Sequence, residues 1–282
     1  MKKAFFPYKF RIKLNNPGTW LILGFLVLSN ISCEEVVQVD LEENTPRLVI
    51  DASLEKYKNA EKSTQTILLS KTTGFYEEAI VPVEDAIINV SDAQGNVYEF
   101  KHANSGLYIN SSINLILNEE YKLEVKYKDE VYTATEKMMP VTEIDTVEQL
   151  NTGGFTGDEI EIKVFYEDPP DEVNYYVFTF TNEKTKLEIY NDEFSNGNRI
   201  FGYYSNEELE VNDTIAIEMG GISKPYYEYL FILRSQVGSG GGPFETQPAT
   251  VKGNIVNQTN EDNFPFGYFQ LSEVDSTSYI VK

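Results

Sequence analysis

YKLEVKYK, residues 121–128, alternates without a break: Tyr121, Leu123, Val125 and Tyr127 are apolar, while Lys122, Glu124, Lys126 and Lys128 are charged. Successive side chains of a β-strand point to opposite faces, so this spacing predicts a strand with one buried and one wetted face. Residues 132–135 (YTAT) read as its partner. Upstream, 87–90 (IINV) and 97–100 (VYEF) flank the turn-forming stretch 91–96 (SDAQGN), which predicts a hairpin. Residues 106–108 open a further strand, and 47–53 (RLVIDAS) and 66–69 (TILL) supply two more. This density of short strands predicts an immunoglobulin-like β-sandwich over residues 46–139.

Met138-Met139-Pro140 marks a boundary, because proline ends regular structure. Residues 140–282 read as a second β-rich domain. Ile144 to Val147 opens it, and Ile160, Ile162 and Val164 alternate with Glu161 and Lys163 before the turn Asp168-Pro169-Pro170-Asp171. Strands are predicted at 175–181, 187–190, 213–219, 251–256 and 266–271, with a polar loop at 191–199. Between them the period changes. Tyr226, Leu230, Leu233 and Val237 share one face at helical spacing, with Ser223 as N-cap and Pro225 in the first turn. The fold class is therefore all-β, with one amphipathic helix near 223–237 and a glycine-rich exit at 238–243.

Charge limits the partners. Lys2, Lys3, Lys9, Arg11 and Lys13 make residues 1–32 purely basic. Without that segment 18 basic residues face 45 acidic ones, a net charge of −27 against −22 for the whole chain. Such a surface repels nucleic acid and anionic head groups. The 19 Tyr and 17 Phe argue for a packed core rather than a disordered polyanion.

Residues 1–32 read as an export signal. A basic start is followed by WLILGFLVL at 20–28, too short for the roughly 20 apolar residues of a bilayer span but suited to a signal-peptide core. Ile31-Ser32-Cys33 then resembles the lipobox of bacterial lipoproteins, although Asn30 stands where leucine is commonest. The resemblance implies cleavage before Cys33 and lipidation of that residue, the only cysteine in the chain. Each buried acyl CH₂ contributes about 0.8 kcal/mol to such an anchor. Residues 33–45 form an acidic tether, and Glu34 and Glu35 resemble the surface-export signal of lipoproteins in Bacteroidetes-type bacteria.

The order of features is similar to one family. They are Cys33 with acids behind it, Leu48-Val49-Ile50-Asp51-Ala52, Met139-Pro140-Val141 with Ile144-Asp145, and Asp168-Pro169-Pro170 with Asn174-Tyr175-Tyr176. Ile222-Ser223-Lys224-Pro225-Tyr226-Tyr227-Glu228-Tyr229-Leu230, Gly253-Asn254-Ile255 and Gly267-Tyr268-Phe269 complete the series. Together they resemble the domain-of-unknown-function 4249 family of Bacteroidetes-type outer-membrane and surface lipoproteins. The resemblance implies a lipid-anchored all-β protein facing the cell exterior, often encoded beside a TonB-dependent outer-membrane receptor. It implies no cofactor and no catalytic residue.

The residues themselves offer little chemistry. His102 is the only histidine and sits in a loop-like KHAN stretch, so a His/Cys zinc site or a cysteine nucleophile lacks its parts. Gly238–Gly242 lacks the lysine of a phosphate loop and follows a helix instead of preceding one. Residues 192–197 (DEFSNG) imitate the start of a calcium loop, but Phe194 and Tyr203 occupy ligand positions. The expectation is a non-catalytic binding or accessory subunit working with a TonB-dependent receptor. The alternatives are a secreted-type glycan hydrolase using paired carboxylates, and an adhesion module.

Overall fold

The computed structural model describes residues 45–60, 63–74, 79–154, 157, 159–170, 172–236 and 250–282. Among these the chain first forms β1 (Leu48–Tyr57), β2 (Gln65–Lys71), β3 (Val81–Pro82), β4 (Ile87–Asp92), β5 (Val97–Asn104), β6 (Leu107–Asn110), β7 (Glu120–Tyr127) and β8 (Glu130–Lys137). Beyond Pro140 come β9 (Ile144–Gly153), β10 (Glu159–Glu167), β11 (Tyr175–Thr181), β12 (Thr185–Asn191), β13 (Arg199–Ser205) and β14 (Thr214–Gly221). The helix α1 (Lys224–Gln236), β15 (Val256–Asn257) and β16 (Phe266–Ile280) follow.

The first sandwich has β1-β2-β6 in one layer and β5-β4-β7-β8 in the other. That is the Greek-key order of an immunoglobulin-like sandwich. Tyr121, Leu123, Val125 and Tyr127 of β7 all point inward and are buried, as their alternation requires. They meet Ile50, Leu54, Ile67 and Leu69 from the facing layer. Burying each such side chain stabilises the fold by roughly 1.5–3 kcal/mol. The 91–96 turn is tied by Asp92, whose Oδ1 accepts the backbone N–H of Gln94 (3.0 Å) and Asn96 (2.8 Å), with Gly95 at φ +85°. His102 lies within β5 and not in a loop, its ring 5.2 Å from that of Tyr108.

The second sandwich packs β12-β11-β14 and the end of β16 against β13-β10-β9. Its core is aromatic: Tyr166 contacts Tyr176 (5.0 Å between centroids) and Phe178 (5.7 Å), and Phe180 stacks on Tyr204 (5.1 Å). β13 was not expected from the sequence. Its Gly202 lies directly under the Phe178 ring, where a Cβ would come within 3.1 Å.

β16 belongs to both sandwiches. From Phe266 to Val274 it runs parallel to β1, and from Val274 to Ile280 antiparallel to β14. The first sandwich therefore takes Phe269, Leu271 and Ile255 from beyond Pro140 into its core. The strand expected at 266–271 continues to Ile280, while of the expected 251–256 strand only Val256 pairs, as the first residue of β15.

Before β14 begins, other groups pair the free edge of β16. The Asn254 side chain donates to the Phe269 carbonyl (2.8 Å) and accepts its N–H (2.9 Å), acting as a one-residue strand. Two residues on, Met139 donates to Leu271 O (3.2 Å) and accepts from Glu273 N (2.8 Å). Close approach here requires glycine. A Cβ on Gly267 (φ +97°) would lie 2.0 Å from Ile50 O, and one on Gly253 would lie 1.8 Å from Gly267 O. Replacing Asn254 with Ala removes both bonds from a fully buried residue's backbone. We expect a loss of about 2–3 kcal/mol in urea unfolding; an unchanged midpoint would show that the edge is satisfied in another way.

Candidate functional site

Alternation along β1 creates the site. With Leu48, Ile50, Ala52 and Leu54 committed to the core, Val49, Asp51, Ser53, Glu55 and Tyr57 point to the opposite face. Tyr268 of β16 lies beside Asp51 in the register. α1 begins over this face. Ser223 O accepts the N–H of Tyr227 (3.0 Å), and Ser223 Oγ accepts that of Tyr226 (3.4 Å), the N-cap expected from the sequence. Tyr226, Leu230 and Leu233 line one side of the helix along a groove, Leu230 buried and Leu233 exposed, whereas Val237 falls outside the described residues.

The result is a groove of about 700 Å³ between α1 and the outer face of β1 and β16. Tyr226 and Tyr229 pack on Tyr268 with centroids 4.7 and 4.9 Å apart, forming an aromatic wall. Val49, Leu230, Leu233 and Phe266 continue the apolar lining, and among the described residues Asp51 is the one charged residue in it. Burial, then the Asp51 charge, pushes the Tyr226 and Tyr229 hydroxyls above the usual phenol range. Beneath the wall, Glu136 Oε2 accepts from Ser223 Oγ (3.1 Å) and from the Tyr268 hydroxyl (3.4 Å). Burial raises the Glu136 carboxyl. Glu136 thus ties the end of β8 to the helix cap and to the wall.

Further along the same face, the Tyr57 hydroxyl lies 2.9 Å from Glu218 Oε1 and 3.2 Å from Glu55 Oε2. A phenol has one hydrogen and can serve only one carboxylate. The shorter contact assigns it to Glu218, and Glu55 is satisfied when it carries its own proton and donates to Tyr57. The electrostatics agree in sign: burial first, then Glu218 and Asp51, raises the Glu55 carboxyl above 4.5, with the Tyr57 contact opposing. Tyr57 itself is pushed up by burial and Glu55, so it stays a neutral bridge.

A larger recess of about 870 Å³ opens beside the second sandwich, and its two buried acids, Glu273 and Asp275, hold the backbone in place. Glu273 accepts from Val141 N (3.1 Å) and lies 3.8 Å from Lys58 Nζ, and Asp275 accepts from Ile144 N (2.7 Å). Asp192 of the calcium-like stretch accepts the Asn174 N–H (2.7 Å), and Asp168 accepts from the Tyr176 hydroxyl (2.7 Å) and Gly197 N (3.2 Å). Their oxygens organise two loops. Cys33, Glu34 and Glu35 lie outside the described residues.

A family model for Domain of unknown function (DUF4249) matches residues 34–278. The chain belongs to this family. No curated protein matches it. Among solved structures, a two-domain fibronectin type-III segment of chicken tenascin is 10% identical with a TM-score of 0.21, covering 63% of this chain and 91% of that one. The chicken interferon gamma receptor alpha chain, in selenomethionine form, is also 10% identical with a TM-score of 0.20, covering 63% and 89%. For this DUF4249 chain the fold assignment rests on strand order and not on these likenesses.

The raised Glu55 carboxyl sets the sign of a pH effect. Its folded-state proton affinity exceeds the unfolded one, so its favourable contribution is complete at low pH and is lost as pH rises through the folded-state pKa. Glu55→Gln mimics the protonated form. It should melt higher than the native protein at about pH 8 and show no advantage near pH 4. A lower melting temperature for Glu55→Gln at high pH would place the negative charge on Glu55 and not on Glu218.

Proposed function

We propose that this protein is a lipid-anchored accessory subunit on the outer surface of an outer membrane, binding without catalysis and presenting the α1 groove to its partner. The groove carries the reading: an aromatic wall fixed to a doubly sandwiched sheet, on the face that neither core uses. Such a scaffold offers a preformed apolar contact with few polar groups to orient it. The DUF4249 match begins at residue 34, directly after Cys33, which supports reading 1–32 as a leader and Cys33 as the lipidated residue. Among the described residues no helix is long and apolar enough to cross a membrane. Confinement beside a receptor raises effective concentration, so a modest groove contact becomes a populated complex. The partner implied by the family resemblance is a TonB-dependent receptor.

On the β1 face the paired carboxylates are Glu55 and Glu218. Tyr57 fills the gap between those carboxylates, where a glycosidic oxygen or water would sit. That geometry favours binding over turnover.

Two measurements test the proposal. Cys33→Ala should block incorporation of labelled fatty acid and leave an uncleaved precursor or released protein; normal maturation and membrane retention would overturn the anchor. Mild detergent extraction of the native protein should bring a large outer-membrane β-barrel with it, and a solitary anchored protein would overturn the accessory role.

A further inference from the structure

We infer that the α1 groove accepts an extended basic and apolar segment of a partner polypeptide, with a lysine or arginine head at Asp51 and its stem along Tyr226 and Tyr229. This rests on the binding role proposed above and specifies the chemistry of what is bound.

Charge is the first argument. Asp51 is exposed on the groove floor, and its described hydrogen bond comes from Ser53 Oγ at 3.2 Å. Among the described residues no Lys or Arg lines the groove, and Asp51 joins no ion pair. The cations nearby are committed elsewhere. Arg47 donates to the carbonyls of Asp262 (2.9 Å) and Phe264 (3.2 Å), and Lys252 sits 3.8 Å over the Phe264 ring. On α1, Arg234 pairs with Glu188 (2.7 Å) and Lys224 with Glu228 (3.7 Å). Glu218, which accepts the Tyr57 proton on the same face, adds to the negative potential. An anionic ligand is repelled and a cation attracted.

The lining makes the second argument. Tyr226 and Tyr229 line the same groove as Asp51, and its charge helps raise both hydroxyls. Tyrosine faces attract ammonium and guanidinium groups, and their apolar bodies suit the methylene stem of Lys or Arg. Val49, Leu230, Leu233 and Phe266 then offer apolar contacts to neighbouring residues of the segment.

Length separates a polypeptide from a small amine. The lining runs along α1 from Tyr226 to Gln236, about 15 Å at 1.5 Å per residue. An extended chain covers that distance with four or five residues. A free alkylamine would occupy only the Asp51 end.

The test uses the full-length protein in detergent and a labelled, end-blocked hexapeptide of alternating leucine and lysine, with a leucine–glutamate peptide as control. Fluorescence anisotropy should show binding of the lysine peptide only, weakening as salt rises. Asp51→Asn, on an exposed side chain, should keep the native melting temperature and weaken the lysine peptide roughly tenfold. Tyr229→Leu should weaken it as well. Equal binding of the two peptides, no binding of either, or an Asp51→Asn affinity equal to the native one would overturn the inference. A protein that ignores the lysine peptide yet still extracts with a β-barrel would remove this ligand chemistry and leave the accessory role standing.

Discussion

The parallel pairing of β1 with β16 is the constraint on which the rest of the molecule depends. It joins the first strand to the last, from Val49 with Phe266 to Tyr57 with Val274. Every element between is thereby enclosed by one ladder of high sequence separation, a slow-forming and cooperative arrangement. The two sandwiches share that strand, so the first completes its sheet only with residues from beyond Pro140. Where β16 passes from one core to the other its side chains change character. Ser272, Glu273 and Asp275 are buried, and the two acids accept backbone N–H groups of the chain crossing between sandwiches. Buried carboxylates are tolerable there because each has a donor.

The groove is a by-product of the same pairing. Placing β16 beside β1 puts Tyr268 next to Asp51 on the outer face, and β14 then leads directly into α1. Gly221 permits the turn, since a Cβ there would sit 1.9 Å from Pro140 O. The Ser223 cap and Glu136 fix where the helix starts, and the tyrosine wall follows from the helical spacing. The site is thus built on backbone geometry set by the sheet, which is why its walls are preformed.

Much of this was legible in the sequence, for a definite reason. β7 carries an unbroken period of two, β10 and β11 keep it at Ile162, Val164, Tyr166 and at Tyr176, Phe178, Phe180, and those periods record which face meets the core, while helical spacing in α1 aligns Tyr226, Leu230 and Leu233 along the groove. The failures occurred where burial and polarity part company. β16 looks finished at Leu271 because Ser272 and Glu273 are polar, although both are buried. β13 hides behind Gly202 and a polar approach, and residues 251–255 look extended but pair through one asparagine side chain. Tyr57 and Glu218, 161 positions apart, carry no local sign that they meet. The helical face was readable; the partner rows of the groove required the β1–β16 register.

The anchor proposed at Cys33 gives that register a mechanical meaning. The chain enters the fold just before Arg47, which is clamped by the Asp262 and Phe264 carbonyls and stacked 4.0 Å over the Phe264 ring. Lys252 lies 3.8 Å from the same ring, so one phenyl holds two cations at the entry point. A pull applied at the proposed anchor would load β1 along its length, with β2 on one edge and β16 on the other. In that geometry the ladder bonds resist together, in shear, instead of opening one at a time. Val49 and Asp51 stand on that strand, two and four residues past Arg47. A partner seated in the proposed groove would therefore grip the strand that begins one residue past Arg47.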